Sequence, residues 1–194
     1  MSYIAKPHFP YGGKTRVYLA GKIDKYDWRH QLVPNLRGHL WSDGPIDAGL
    51  YEYIGPFFVS CDHGCNHQPS SHGATAGCEI NESAFTRSNV IRNNMAALDA
   101  ADMVFAYISA PDCYGTLIEL GWALRAGKKV VVVFTTGIPF DDFWYASHQA
   151  QSVHLGQDAS ILQQLLNLEL HKFKHERLLK RQKLDALLAS VEDL

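Results

Sequence analysis

Three short runs of apolar, β-prone residues constrain this chain more than anything else in it. They are RVYLAG at residues 16–21, DMVFAYI at 102–108 and KKVVVVF at 128–134. Each is too short for a buried helix and ends in turn residues, so each reads as a strand covered on both faces. Residues 82–101 carry Phe85, Val90, Ile91, Met95, Ala96 and Leu98 at roughly helical spacing, and 116–126 reads as a further helix with Gly127 as its C-terminal stop. Parallel strands need crossover helices, so the alternation predicts an α/β fold, Rossmann-like or flavodoxin-like, with a parallel sheet and helices on both faces. A helix from 24 or 27 to Leu32, disturbed by Pro34, should follow the first strand, and YIGPFFVS at 53–60 supplies another strand-like run.

At 194 residues the chain builds one sizeable core with small additions. The expected organisation is an α/β domain over 1–157, with a Cys- and His-rich insertion at 61–78, and an amphipathic C-terminal extension of one or two helices over 158–194. The basic run HKFKHERLLKRQK at 171–183 is followed by Asp185, Glu192 and Asp193 and reads as a solvated helix face. A formal net charge of −2 gives no global field toward nucleic acid or an anionic membrane, so neither is expected as a partner. No run approaches the ~20 apolar residues that cross a bilayer, and MSYIAKPHFPYGGK lacks the apolar segment of a secretory signal. The expected location is cytoplasmic, where Cys61, Cys65, Cys78 and Cys113 are thiols or metal ligands rather than disulfides.

In open α/β sheets ligands bind beyond the carboxyl ends of the strands, which selects residues 20–24, 109–119 and 135–145 as pocket walls. Among them, in DCYGTLIELGW at 112–122, Thr116 and Glu119 stand in the S/T-x-x-E relation of a capping box. Glu119 then has two readings: a cap turned back on its own helix start, or a carboxylate held ionised in the first helical turn and pointing across the loop as a nucleophile.

Residues 93–134, from NNMAALDAADMVFAY through GTLIELGWALRAGKKVVVVF, together with VYLAG at 17–21, resemble the nucleoside 2-deoxyribosyltransferase family and its relatives that hydrolyse nucleotide N-glycosidic bonds. The resemblance implies that Glu119 is the nucleophile, forming a glycosyl ester that a second base or water displaces. It implies that Tyr18 orients that carboxylate, and that Asp112 contacts the sugar or helps protonate the leaving base. Two residues rather than one separate Asp112 from Gly115, and Asn94 stands where relatives carry another carboxylate; an amide cannot act as an acid. Gly21, Asn94, Gly115 and Thr116 are the implied substrate contacts. The substrate is a small nucleoside or nucleotide, no cofactor is implied, and the protein is expected to be a homo-oligomer whose neighbouring subunit completes the pocket. The implied activity is transfer of the sugar between bases. The alternatives are hydrolysis of a nucleoside 5′-monophosphate and a non-catalytic nucleotide-binding module on the same fold.

Trp28, Trp41, Trp144 and Tyr145 are candidates to stack on a base, and Lys22, Lys25 and Arg29 to meet a phosphate. His148 is the most versatile side chain of the segment after the last core strand. The stretch CDHGCNHQPSSHGATAGC at 61–78 admits a structural zinc on Cys61, Cys65, Cys78 and His67 or His72, a substrate loop presenting Asp62, His63 and His67, or an ordinary loop. Its spacing is unlike common zinc sites, and no metal is assigned.

Overall fold

The computed structural model describes residues 13–23, 27–36, 39, 43–57 and 87–192. Six strands, β1 (Thr15–Gly21), β2 (Ile46–Asp47), β3 (Tyr51–Gly55), β4 (Met103–Ile108), β5 (Lys129–Phe134) and β6 (Ser152–Leu155), form one sheet in the order β2-β3-β1-β4-β5-β6. The helices are α1 (Arg29–Leu32), α2 (Arg87–Ala100), α3 (Tyr114–Arg125), α4 (Trp144–Gln149) and α5 (Ala159–Glu192). The α/β class is as the alternation predicts. One edge departs from a purely parallel sheet, because β2 pairs antiparallel with β3. The chain turns back too quickly there for a crossover: Gly49 takes φ +81° and its N–H bonds Asp47 Oδ1 at 2.8 Å.

Without that two-residue edge, the parallel strands in chain order lie 2-1-3-4-5. The connection after β1 runs to one side and the connection after β3 crosses back to the other, so the topological switch falls between β1 and β4. Alternate side chains divide the strands between two cores. Val17, Leu19, Met103, Phe105, Val131 and Val133 face α1 and the start of α5, with Trp28, Leu32, Leu162 and Leu166. Tyr18, Ala20, Val104, Ala106, Val130 and Val132 face α2 and α3, with Leu98, Leu120 and Ala123.

The C-terminal extension is one helix of 34 residues. Its first half is locked to β5 and β6 by Glu169, whose buried carboxylate accepts from Ser152 Oγ at 2.9 Å and Lys172 Nζ at 2.9 Å and meets His154 Nε2 at 3.1 Å. Strand β3 stops at Gly55, short of the run to 60 that the sequence suggested; residues 58–60 and the whole 61–78 insertion lie outside the described residues.

Candidate active site

Helix α3 removes the capping reading of Glu119. It begins at Tyr114 with Cys113 as its N-cap and no side-chain capping bond. Glu119 therefore stands in the second turn, not the first, and the expected capping box is absent. The exposed Gly115 continues the helix where a later start was expected. Buried Thr116, Leu120 and Ala123 set the face of α3 against the sheet, and Glu119 projects beside that face toward β1. Its Oε1 accepts a 2.5 Å hydrogen bond from the hydroxyl of Tyr18, a fully buried residue of β1.

Glu119 as a residue is half-buried, yet protein atoms crowd its carboxyl. Desolvation there pushes its pKa up to about 7, against the opposing pull of the Tyr18 hydrogen bond and of the Arg29 guanidinium. The sequence reading placed Glu119 in the first helical turn; it stands one turn further in, where burial of its carboxyl opposes the ionised form. Burial and the neighbouring carboxylate hold the Tyr18 phenol well above its ordinary range, so it stays a donor. Gly55 makes room for the phenol ring: a Cβ there would lie 3.0 Å from Tyr18 Cε2 and 3.3 Å from Ala97 Cβ. Nothing in the sequence pattern marked that glycine.

The ends of β1 and β4 meet across the switch point. Lys22 follows β1, Asp112 follows β4, and the ammonium touches both carboxylate oxygens at 2.6 Å. Asp112 is thus engaged by a cation one loop away, a partnership the one-residue offset from the family spacing did not suggest. Both side chains are substantially exposed.

Arg29 is not available to a phosphate. It is wholly buried, with Nη1 on Asp27 Oδ2 at 2.7 Å, Nε on the Leu19 carbonyl at 2.7 Å and Nη2 on the Gly21 carbonyl at 2.8 Å. Because β3 ends opposite Tyr18, those carbonyls run past their neighbouring strand, and the guanidinium supplies the donors that strand would have given. Gly21 is a packing glycine: with φ +153°, a Cβ would lie 2.8 Å from the Tyr107 carbonyl oxygen. Gly115 has open space around its Cβ position among the described residues. Asn94, half-buried on α2, stands one turn before Ala97 and so on the side of α2 that approaches Tyr18 and Gly55.

Of the aromatic candidates, Trp28 is core, edge-on to Tyr107 at 5.5 Å, with its buried indole Nε1 lacking a hydrogen-bond partner among the described residues. Trp144 and Tyr145 are exposed on α4, and His148 Nδ1 bonds the Trp144 carbonyl at 2.8 Å. Lys25, Trp41 and the cysteines and histidines of 61–78 lie outside the described residues, and no metal-ligating cluster is present among those described.

A carboxyl whose pKa is raised toward neutrality and which accepts from a tyrosine hydroxyl can exchange a proton, or act as a nucleophile once ionised, near pH 7. The family model of nucleoside 2-deoxyribosyltransferase-like proteins matches residues 14–137, and the chain belongs to that family. Among solved structures, the Clostridium botulinum CMP N-glycosidase BcmB is similar at 19% identity, with a TM-score of 0.39 over 46% of this chain and 75% of that one. No curated protein matches the sequence.

Proposed function

We propose that the protein cleaves the N-glycosidic bond of a nucleoside or nucleotide with Glu119 as covalent nucleophile and passes the sugar to a second base. The observation that carries this reading is the Tyr18–Glu119 hydrogen bond between β1 and the helix that follows β4, in a chain of this family. The ionised Glu119 attacks C1′, the C1′–N bond breaks, and its electrons leave with the base, which takes up a proton. The incoming base then attacks C1′ through nitrogen, loses its proton, and releases Glu119 as carboxylate. Tyr18 orients the attacking oxygen. Asp112, paired with Lys22, serves at the sugar or the leaving base, and Asn94 and Gly115 border the substrate, Asn94 by hydrogen bonding rather than as an acid.

One observation favours the second reading, hydrolysis of a 5′-monophosphate: the Lys22 ammonium, paired with Asp112, follows directly on the carboxyl end of β1, where it suits an anionic substrate. The expected homo-oligomer is supported by an exposed apolar stripe of Tyr114, Ile118 and Trp122 on the helix that carries Glu119.

The test is a deoxynucleoside incubated with a second free base and followed by chromatography. Exchanged nucleoside, lost in Glu119→Gln, is the expected result. Free base without exchange means that water is the acceptor. Binding without turnover overturns the enzymatic reading and leaves a ligand-binding module.

A further inference from the structure

Two buried charges have no step in the chemistry proposed above. Arg29 and Asp27 form an ion pair at 2.7 Å whose side chains are both 0% exposed. The guanidinium also closes the end of β1 through the Leu19 and Gly21 carbonyls. Those two oxygens need N–H donors, which a neutral amide could supply. A buried charge with its counter-ion is the costly way to provide them, since desolvating both ions consumes most of what their attraction returns. The charge itself calls for a reason, and the residues around it supply one.

Carbonyls of alternate residues point to the same side of a strand, so Arg29 fills the place in the ladder that β3 vacates after Gly55. There it lies between the two layers of the fold. The Trp28 ring covers it from the α1 side at 4.7 Å. On the other side are the phenol of Tyr18, the residue before Leu19 on β1, and the Glu119 carboxyl that this phenol holds. Tyr53 has its hydroxyl on the Pro56 carbonyl and is kept neutral by burial, Lys22 and Asp112 engage each other, and α2 approaches with Asn94 and Ala97, which do not ionise. Buried charges are little screened from one another. Arg29 and Glu119 accordingly each favour the charged form of the other, and Asp27 faces the same guanidinium.

We propose that Arg29 is a positioning residue for Glu119, a fixed cation that holds β1 with its tyrosine in place and stabilises the negative charge of the carboxylate, and that Asp27 sets how much of that cation Glu119 meets. The part Glu119 plays in catalysis rests on the function proposed above; its coupling to Arg29 does not.

Magnetic resonance titration of the full chain tests this without requiring turnover. In the wild-type protein the Arg29 Nε–H signal should follow the ionisation of Glu119, with a midpoint near pH 7, and should lose that step in Glu119→Gln. Arg29→Lys and Arg29→Gln both break the fork on β1, but only the second removes the cation. The midpoint of the Glu119 carboxyl carbon should rise by roughly half a pH unit or more in Arg29→Gln, stay closer to wild type in Arg29→Lys, and fall in Asp27→Asn, where the cation loses its counter-ion. The rising limb of kcat/KM should move with the midpoint. An Arg29 signal indifferent to Glu119, or a midpoint that moves alike in Arg29→Lys and Arg29→Gln, overturns the proposal even in a working enzyme. Midpoints that move as expected in a protein without turnover support the coupling and overturn the enzymatic reading alone.

Discussion

Tyr18 and Glu119, 101 residues apart in the chain, are joined by a 2.5 Å hydrogen bond between the middle of β1 and the second turn of α3. The contact ties a strand in the sheet interior to the helix beyond the switch point. It also gives the carboxylate one orientation without neutralising it.

The first prediction concerns pH and that hydroxyl. With the Glu119 pKa near 7, kcat/KM should rise through neutrality and level off above it, since only the ionised form attacks. Tyr18→Phe keeps the ring beneath Gly55 but removes a donor that lowers that pKa, so the rising limb should move to higher pH and activity at pH 7 fall more than activity at pH 9. Glu119→Gln should lose on the order of 10³-fold or more at every pH, the scale expected when a covalent nucleophile is removed. A Tyr18→Phe profile parallel to wild type would reduce the tyrosine to a packing residue.

The same carboxyl makes a stability prediction. Its folded pKa lies above the ordinary 4.5, so the unfolded chain gives up this proton first, and folding loses stability as pH rises from about 4.5 through 7. The cost at alkaline pH is at most about 3 kcal/mol, less where solvent reaches the group. Glu119→Gln removes it. Thermal melts should therefore show the variant gaining on wild type between pH 5 and pH 8; a constant difference across that range would mean the carboxyl is solvated.

The sheet was legible because its strands are buried on both faces: VYLAG, MVFAYI and VVVVF carry no alternation that a helix could imitate. The α3 start was misplaced by two residues because Gly115 looks like a turn residue and Thr116 like a cap, while the burial of Thr116, Leu120 and Ala123 that fixes the helix is a tertiary fact. Glu119 and Tyr18 were found through family likeness. Their contact joins two elements whose pairing is set by topology, not by local sequence. Arg29 was misread for the same reason, since a guanidinium that completes an interrupted strand edge looks, in sequence, like any other cation near a loop.

A third prediction addresses the anchor of α5. Burial pushes the Glu169 pKa up, but hydrogen bonds from Lys172, Ser152 and His154 outweigh it and leave it below the ordinary value. Its stabilisation is present above the unfolded value and is lost as pH falls through the lowered folded one. Glu169→Ala strands Ser152, His154 and Lys172 around a void and should cost about 2–4 kcal/mol at pH 7. The penalty should shrink toward pH 3. Chemical denaturation at pH 7 and pH 3.5 reads the difference; an equal penalty at both would assign the loss to packing alone.

The last prediction separates nucleosides from nucleotides at the Lys22–Asp112 pair. The Lys22–Asp112 pair is exposed, so breaking it should change stability by no more than about 1 kcal/mol, which leaves both variants foldable and their kinetics interpretable. Lys22→Ala removes the cation and leaves the Asp112 anion facing the substrate, whereas Asp112→Asn frees the ammonium. For a 5′-phosphorylated substrate the two changes should move KM in opposite directions, up for the first and down for the second, by about three- to tenfold each, as befits one screened charge. For the unphosphorylated nucleoside Lys22→Ala should leave KM nearly unchanged. The role proposed for Asp112 at the sugar or the leaving base adds a fall in kcat in Asp112→Asn that is the same for both substrates and so cancels in their ratio. A ratio of the two kcat/KM values that stays constant in both variants would leave Lys22 as the residue that holds Asp112 in place.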